Sequence, residues 1–129
     1  LTSKPKVLII DPSEESSEAL KAVLDHSGFH AEILPPRAAR QSKFEGFFPQ
    51  VIVVDENALA TYSVWFRAMA ARYQAATTKV IFIGSRTLTA SNPSLDGAIF
   101  TKPYHYPPLI RTIERLVQEV ESPAAARAA

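Results

Sequence analysis

The chain has 129 residues, 47% hydrophobic and 21% charged, the size and balance of a single domain with a packed core rather than a disordered chain. A net charge of +1 argues against a nucleic-acid binder working through bulk electrostatics, and the lack of cysteine removes disulfides and thiolate chemistry. No apolar run approaches the roughly 20 residues needed to span a bilayer, and Leu1-Thr2-Ser3-Lys4 starts no signal-peptide core, so a cytoplasmic, non-membrane domain is expected.

Lys4-Pro5-Lys6 leads into a first predicted strand, Val7 to Ile10, apolar at every position as a strand buried on both faces should be. Ser13 reads as the N-cap of a first helix, with Glu14 and Glu15 complementing its dipole and Leu20, Val23 and Leu24 forming its apolar face. Gly28 is the predicted stop, since glycine adopts the left-handed conformation that ends many helices. A second strand spans Phe29 to Leu34. Pro35-Pro36 breaks the chain before a short helix from Arg37 to Phe44, whose Arg37, Arg40 and Lys43 suit a solvated face.

Pro49 precedes the strand Val51 to Val54. A helix over roughly Ala58 to Ala75 carries Tyr62, Trp65, Phe66, Met69 and Tyr73 at helical spacing, a packing stripe rather than a cofactor box. The strand Val80 to Ile83 is followed by Arg86 to Ser94, too polar and proline-broken for a helix. Gly97 to Thr101 forms the last strand, and Pro107-Pro108 opens a final helix with Leu109, Ile110, Ile113, Leu116, Val117 and Val120 facing inward. The domain is placed at residues 4–121, with 122–129 as an alanine-rich tail or linker.

Strands alternating with helices imply right-handed crossovers and a parallel sheet covered on both faces. Four strand endings then share one edge: Asp11, Asp55, Gly84-Ser85, and Thr101 running into Lys102-Pro103. Open α/β sheets bind ligands along that edge. Acids beside a lysine suit phosphate and a hard cation. His26, His30 and His105 have no metal-ligand spacing, and four glycines supply no phosphate-binding loop.

The stretches KVLIID, VIVVDEN and FTKP, in that order, resemble the receiver domain of two-component response regulators across Lys4 to roughly Glu121. The resemblance implies a flavodoxin-like, doubly wound five-stranded parallel sheet of order 2-1-3-4-5. It implies that Asp55 accepts a phosphoryl group from a histidine kinase or phosphotransfer protein, in phosphorelay signalling rather than enzymatic turnover. Asp11, Asp55 and the backbone carbonyl of Asn57 would hold Mg²⁺, and Lys102, in a Lys-Pro pair whose bond is typically cis in the family, would contact the carboxylate or its phosphate. Such charge neutralisation is what phosphoryl transfer requires. The output would reach an effector protein or fused domain, with no direct nucleic-acid or membrane contact.

The chain departs from the family pattern at four places. Pro12 stands where the family has a second acid, so one formal charge is lost and Mg²⁺ is expected to bind more weakly, compensation by Glu14 or Glu56 being the less favoured reading. Gly84 takes the place of the hydroxyl residue, with Ser85 one position late. The aromatic switch position, three before the lysine, is Ile99; Phe100, Tyr104 and Tyr106 are out of register. The interval from Ser85 to Lys102 is short, so the fourth helix is expected to be shortened or missing and the face used for switching and dimerisation altered, leaving a homodimer open. The alternatives are a phosphorylation-independent pseudo-receiver acting as an interaction module, and a haloacid-dehalogenase-type phosphatase built on Asp11, which would need a second acid where Ser13 stands.

Overall fold

The computed structural model describes residues 4–34, 49–61, 78–84 and 98–121. Five strands, β1 (Lys6–Ile10), β2 (His30–Ile33), β3 (Val51–Asp55), β4 (Lys79–Gly84) and β5 (Ala98–Thr101), form one parallel sheet in the order β2-β1-β3-β4-β5. Helices α1 (Glu14–His26), α2 (Glu56–Thr61) and α3 (Tyr106–Glu121) complete the described elements. The expected sheet and its order are therefore both present. The helix expected over Arg37 to Phe44, most of the Trp65 and Met69 helix, the interval expected to shorten the fourth helix, and the tail lie outside the described residues.

The apolar runs become central strands because nothing in them needs water. Val51 to Asp55 are buried throughout, as are Val7 to Ile10. On one sheet face Val7, Ile9, Val51, Val53, Ile81 and Ile83 pack under Leu20 and Leu24 of α1 and under Leu109, Ile113, Leu116 and Val117 of α3. Their alternates Leu8, Ile10, Ile52 and Val54 are equally buried, the pattern of a sheet covered on both sides.

Helix α1 starts and stops as its sequence dictates. The Ser13 hydroxyl accepts the Ser16 backbone N–H at 3.2 Å, and Gly28 turns the chain out at φ 97°. Ser13 is thus occupied as a helix cap, at the place where a dehalogenase-type site would need its second acid. Replacing it with alanine leaves an N-terminal donor without its side-chain acceptor and should lower stability by about 1 kcal/mol, measured by urea unfolding with the m-value unchanged. The return into β2 is locked by one cluster: Lys21 Nζ donates to Asp25 Oδ2 at 2.7 Å and to the Ala31 carbonyl at 3.0 Å, while the Ala31 N–H donates to Asp25 Oδ1 at 3.2 Å. Desolvation works against the Asp25 charge, but these bonds prevail and hold its carboxyl below the ordinary value.

Two boundaries differ from the sequence expectation. The helix after β3 begins at Glu56 rather than Ala58, because the Asp55 side chain supplies an acceptor for its first turn: Oδ1 takes the Asn57 N–H at 2.9 Å. The last helix begins at Tyr106, so Pro107 and Pro108 both fall in the first turn, where a missing N–H costs no intrahelical bond.

The strand register decides which residues share the carboxyl edge of the sheet. Ile10 lies opposite Val54, so Asp11 and Asp55 emerge side by side from adjacent strands. Asp55 lies opposite Ile83 and Gly84 opposite Thr101, which puts Lys102 immediately past the end of β4.

Candidate functional site

Asp55 is the one carboxylate among the described residues that is buried, with 5% of its surface exposed. Taking a carboxylate out of water is costly unless it is paired and hydrogen-bonded. Both conditions hold here. Oδ1 accepts the Asn57 N–H, and Oδ2 lies 2.5 Å from Lys102 Nζ. The lysine end stays open, its side chain 40% exposed against 6% for the aspartate, so the pair has a protein side and a solvent side.

Lys102 is positioned from two directions. Its backbone N–H donates to the Gly84 carbonyl at 2.9 Å, extending the β4–β5 ladder past Thr101, and the Lys102-Pro103 bond is cis, as the Lys-Pro motif implies. Main chain is thereby tied to β4 and side chain to β3.

Asp11 is half-buried at the neighbouring strand end, with Oδ1 accepting the Ser13 N–H at 2.9 Å in an Asx turn. Its turn-forming role and its place beside Asp55 coexist, because a carboxylate has lone pairs beyond the one used. Pro12 is exposed and offers no ligand. Among the described residues no three His, Asp or Glu side chains group to hold a metal ion. A cation here would rely on Asp11, Asp55, the Asn57 carbonyl and water. That all-oxygen set with two carboxylates fits Mg²⁺, which keeps several waters and is commonly bound through one or two carboxylates.

Residues after Lys102 close the other flank. Tyr104 is half-buried, packs against the core and meets Tyr106 edge-to-face, with ring centroids 5.9 Å apart and planes at 82°. Burial, reinforced by Tyr106 and by the charges of Asp11 and Asp55, pushes the Tyr104 phenol up to about 12. The folded protein thus keeps a proton that the unfolded chain sheds above the ordinary value of 10.0, and stability should fall as pH rises through that interval. Tyr104→Phe should flatten the fall, read as unfolding midpoints on either side of pH 10.0. From sequence, Tyr104 has no role beyond being out of register; its one signal is its position two residues past Lys102.

At the end of β4, Gly84 falls where the motif alignment puts it. A Cβ added there would lie 2.9 Å from both Cδ and Oε2 of Glu56 and 3.0 Å from its Cβ. Ser85 lies outside the described residues, so the hydroxyl assigned to it has no counterpart among them. Ile99 is half-buried in β5 and Phe100 packs against the core; Glu14 is exposed in the first turn of α1. The structure therefore brings Asp11, Asp55, Asn57 and Lys102 to one edge, sets Glu56 against the end of β4, and adds Tyr104.

The fold has counterparts among solved structures. No protein-family model matches the sequence, and no curated protein does. The receiver-modulated diguanylate cyclase of Pelobacter carbinolicus superposes with a TM-score of 0.74 at 20% identity, covering 94% of this chain and 98% of that one. The beryllofluoride-activated NtrC4 receiver domain dimer is 27% identical, with a TM-score of 0.68 over 89% of this chain and 98% of that one. The chemotaxis protein CheY4 of Vibrio cholerae is 19% identical, with a TM-score of 0.65 over 88% and 98%. The chain has the fold of response-regulator receiver domains.

Proposed function

We propose that this receiver-fold chain is the phosphoryl-accepting module of a two-component signalling pathway, with Asp55 as the acceptor. One observation carries the reading: a buried carboxylate at the carboxyl end of the middle strand, paired with a lysine that remains open to solvent.

A carboxylate oxygen of Asp55 attacks the phosphorus of a phosphohistidine on the partner. The new P–O bond forms as the P–N bond breaks, and its electron pair returns to the imidazole nitrogen. Lys102 holds fixed positive charge beside the oxygens that carry the transferred negative charge. The Asn57 N–H keeps the carboxylate oriented while Oδ2 is in use. Asp11, Asp55 and the Asn57 carbonyl would hold Mg²⁺, which when bound neutralises charge on the phosphoryl oxygens. The domain has no turnover of its own in this reading; its product is the acyl phosphate. Its partners are a histidine kinase or phosphotransfer protein upstream and an effector protein or fused domain downstream.

A second reading is favoured by Pro12 and Gly84, which remove an acid and a hydroxyl from the edge: the fold serves as an interaction module without phosphorylation. Incubation with acetyl phosphate and saturating Mg²⁺ separates the two. A phosphoryl adduct mapped to Asp55 by mass spectrometry supports acceptance. An unmodified protein, under conditions that label a competent receiver in the same tube, supports the interaction module.

A further inference from the structure

The two members of the Asp55–Lys102 pair are held in different ways. Asp55 is a buried residue of β3 whose register against Ile83 is set by the sheet, and its side chain is built into the turn that starts α2. Lys102 lies past the end of β5. Its N–H bond to the Gly84 carbonyl holds it on the strand side. On the other side, Pro103 and His105 are exposed, and Tyr104 alone of the three residues before α3 packs against the core. Phe100 does the same two residues before the lysine. Lys102 is thus bracketed by two aromatic rings seated on the core, with exposed residues between.

The downstream ring is itself supported. Tyr104 meets Tyr106 edge-to-face at 5.9 Å, an arrangement that aromatic pairs favour. Tyr106 belongs to the first turn of α3, whose Leu109 and Ile113 are fully buried. The ring also lies beside the strand ends, since burial, then Tyr106, and then the charges of Asp11 and Asp55 raise its phenol. These contacts are made by the ring as a whole, and phenylalanine would keep them.

We propose that Tyr104 is a positioning residue for Lys102: its ring, seated on the core and against Tyr106, sets where the main chain leaves β5 and so keeps the ammonium on Asp55. Its part in phosphoryl transfer rests on the reading of Asp55 as acceptor, whereas the placement of Lys102 does not. A lysine carries its charge on a flexible four-carbon stem, and holding such a stem in one geometry at an exposed pair costs entropy. Fixing the main chain beneath it removes part of that search, and a charge placed in advance needs no reorganisation when the reaction occurs.

Two readouts on the full chain test this. The first is the rate of reductive methylation of the Lys102 amine by formaldehyde and a hydride donor, mapped by mass spectrometry. Lys21, paired with Asp25 on α1, is the internal control for unfolding, and Asp55→Asn sets the rate of a released lysine. Tyr104→Ala should raise the Lys102 rate about threefold to fivefold, as expected when an exposed pair is lost, with Lys21 unchanged; Tyr104→Phe should match the unaltered chain. The second is the rate of Asp55 labelling by acetyl phosphate with Mg²⁺, which Tyr104→Ala should lower roughly fivefold to tenfold. In a Lys102→Ala background the same substitution should change nothing, because both remove one interaction. If Lys21 also becomes reactive in Tyr104→Ala, the same readings are taken on Tyr104→Leu, which keeps apolar bulk without the edge-to-face pair. An unchanged Lys102 rate in the folded variant overturns the proposal. So does a Lys102 released without slower labelling, or a slowing that persists in the Lys102→Ala background. An Asp55 that labels in no variant overturns the acceptor reading alone, and the methylation rates still decide whether Tyr104 places Lys102.

Discussion

Asp55→Asn should leave no acid-labile phosphoryl adduct on the protein after exposure to acetyl phosphate and Mg²⁺, with the native fold kept. The amide is near-isosteric and its oxygen can still accept the Asn57 N–H, which now helps cap α2 at 2.9 Å. It cannot at the same time offer an anionic oxygen to Lys102, and an amide is not a nucleophile towards phosphorus. Removal of a nucleophile eliminates the covalent step rather than slowing it. The fold should survive because the amide keeps the shape of the side chain and its hydrogen bond from Asn57. Circular dichroism and an unfolding curve accompany the mass measurement; an adduct that persists on folded Asp55→Asn would move the acceptor elsewhere.

Lys102→Ala has a different signature, since it touches both chemistry and stability. The ammonium 2.5 Å from Oδ2 is the sole basic side chain paired with Asp55 among the described residues. Without it the buried carboxylate keeps one hydrogen bond and loses its counter-charge. Breaking a buried pair costs roughly 3–5 kcal/mol, but the solvent-open lysine side argues for a smaller penalty, about 1–2 kcal/mol. Loss of a positioned charge at a group-transfer site typically costs a hundredfold or more, and solvent access lowers this to about tenfold to hundredfold in the rate of adduct formation. Lys102→Arg should not restore the rate, because the planar guanidinium is larger and differently hydrated than the ammonium. A variant that is destabilised but transfers at the original rate would make Lys102 a structural counter-ion only.

How much of the molecule is legible in its sequence depends on the range of the forces involved. The strands can be read because Val7 to Ile10 and Val51 to Val54 are unbroken apolar runs that no exposed element would carry. The cap at Ser13 and the stop at Gly28 are local, settled within a turn of backbone. Asp11, Asp55 and Lys102 are legible because parallel strands put their carboxyl ends on one edge whatever the loops do. The start of α2 is misplaced by two residues from sequence, since Asp55 serves its own strand end and the next helix at once. The Glu56–Gly84 contact is hidden for another reason: a glycine in sequence says only that a side chain is absent, and what fills the space comes from an element on a neighbouring strand. Tyr104 gains its electrostatic surroundings in the same way, from two strand ends far from it in sequence.

Lys102 holds Asp55 through its side chain and β4 through its main chain, and only Pro103, Tyr104 and His105 separate it from the first turn of α3. Asp55 and the C-terminal helix are thus joined by a short tether anchored at both ends, with Tyr104 packed against the core midway. A displacement of Lys102 would pull on β4 through the Gly84 bond and on α3 through that tether together. On the helix side, Tyr106 in the first turn of α3 is where such a pull would arrive.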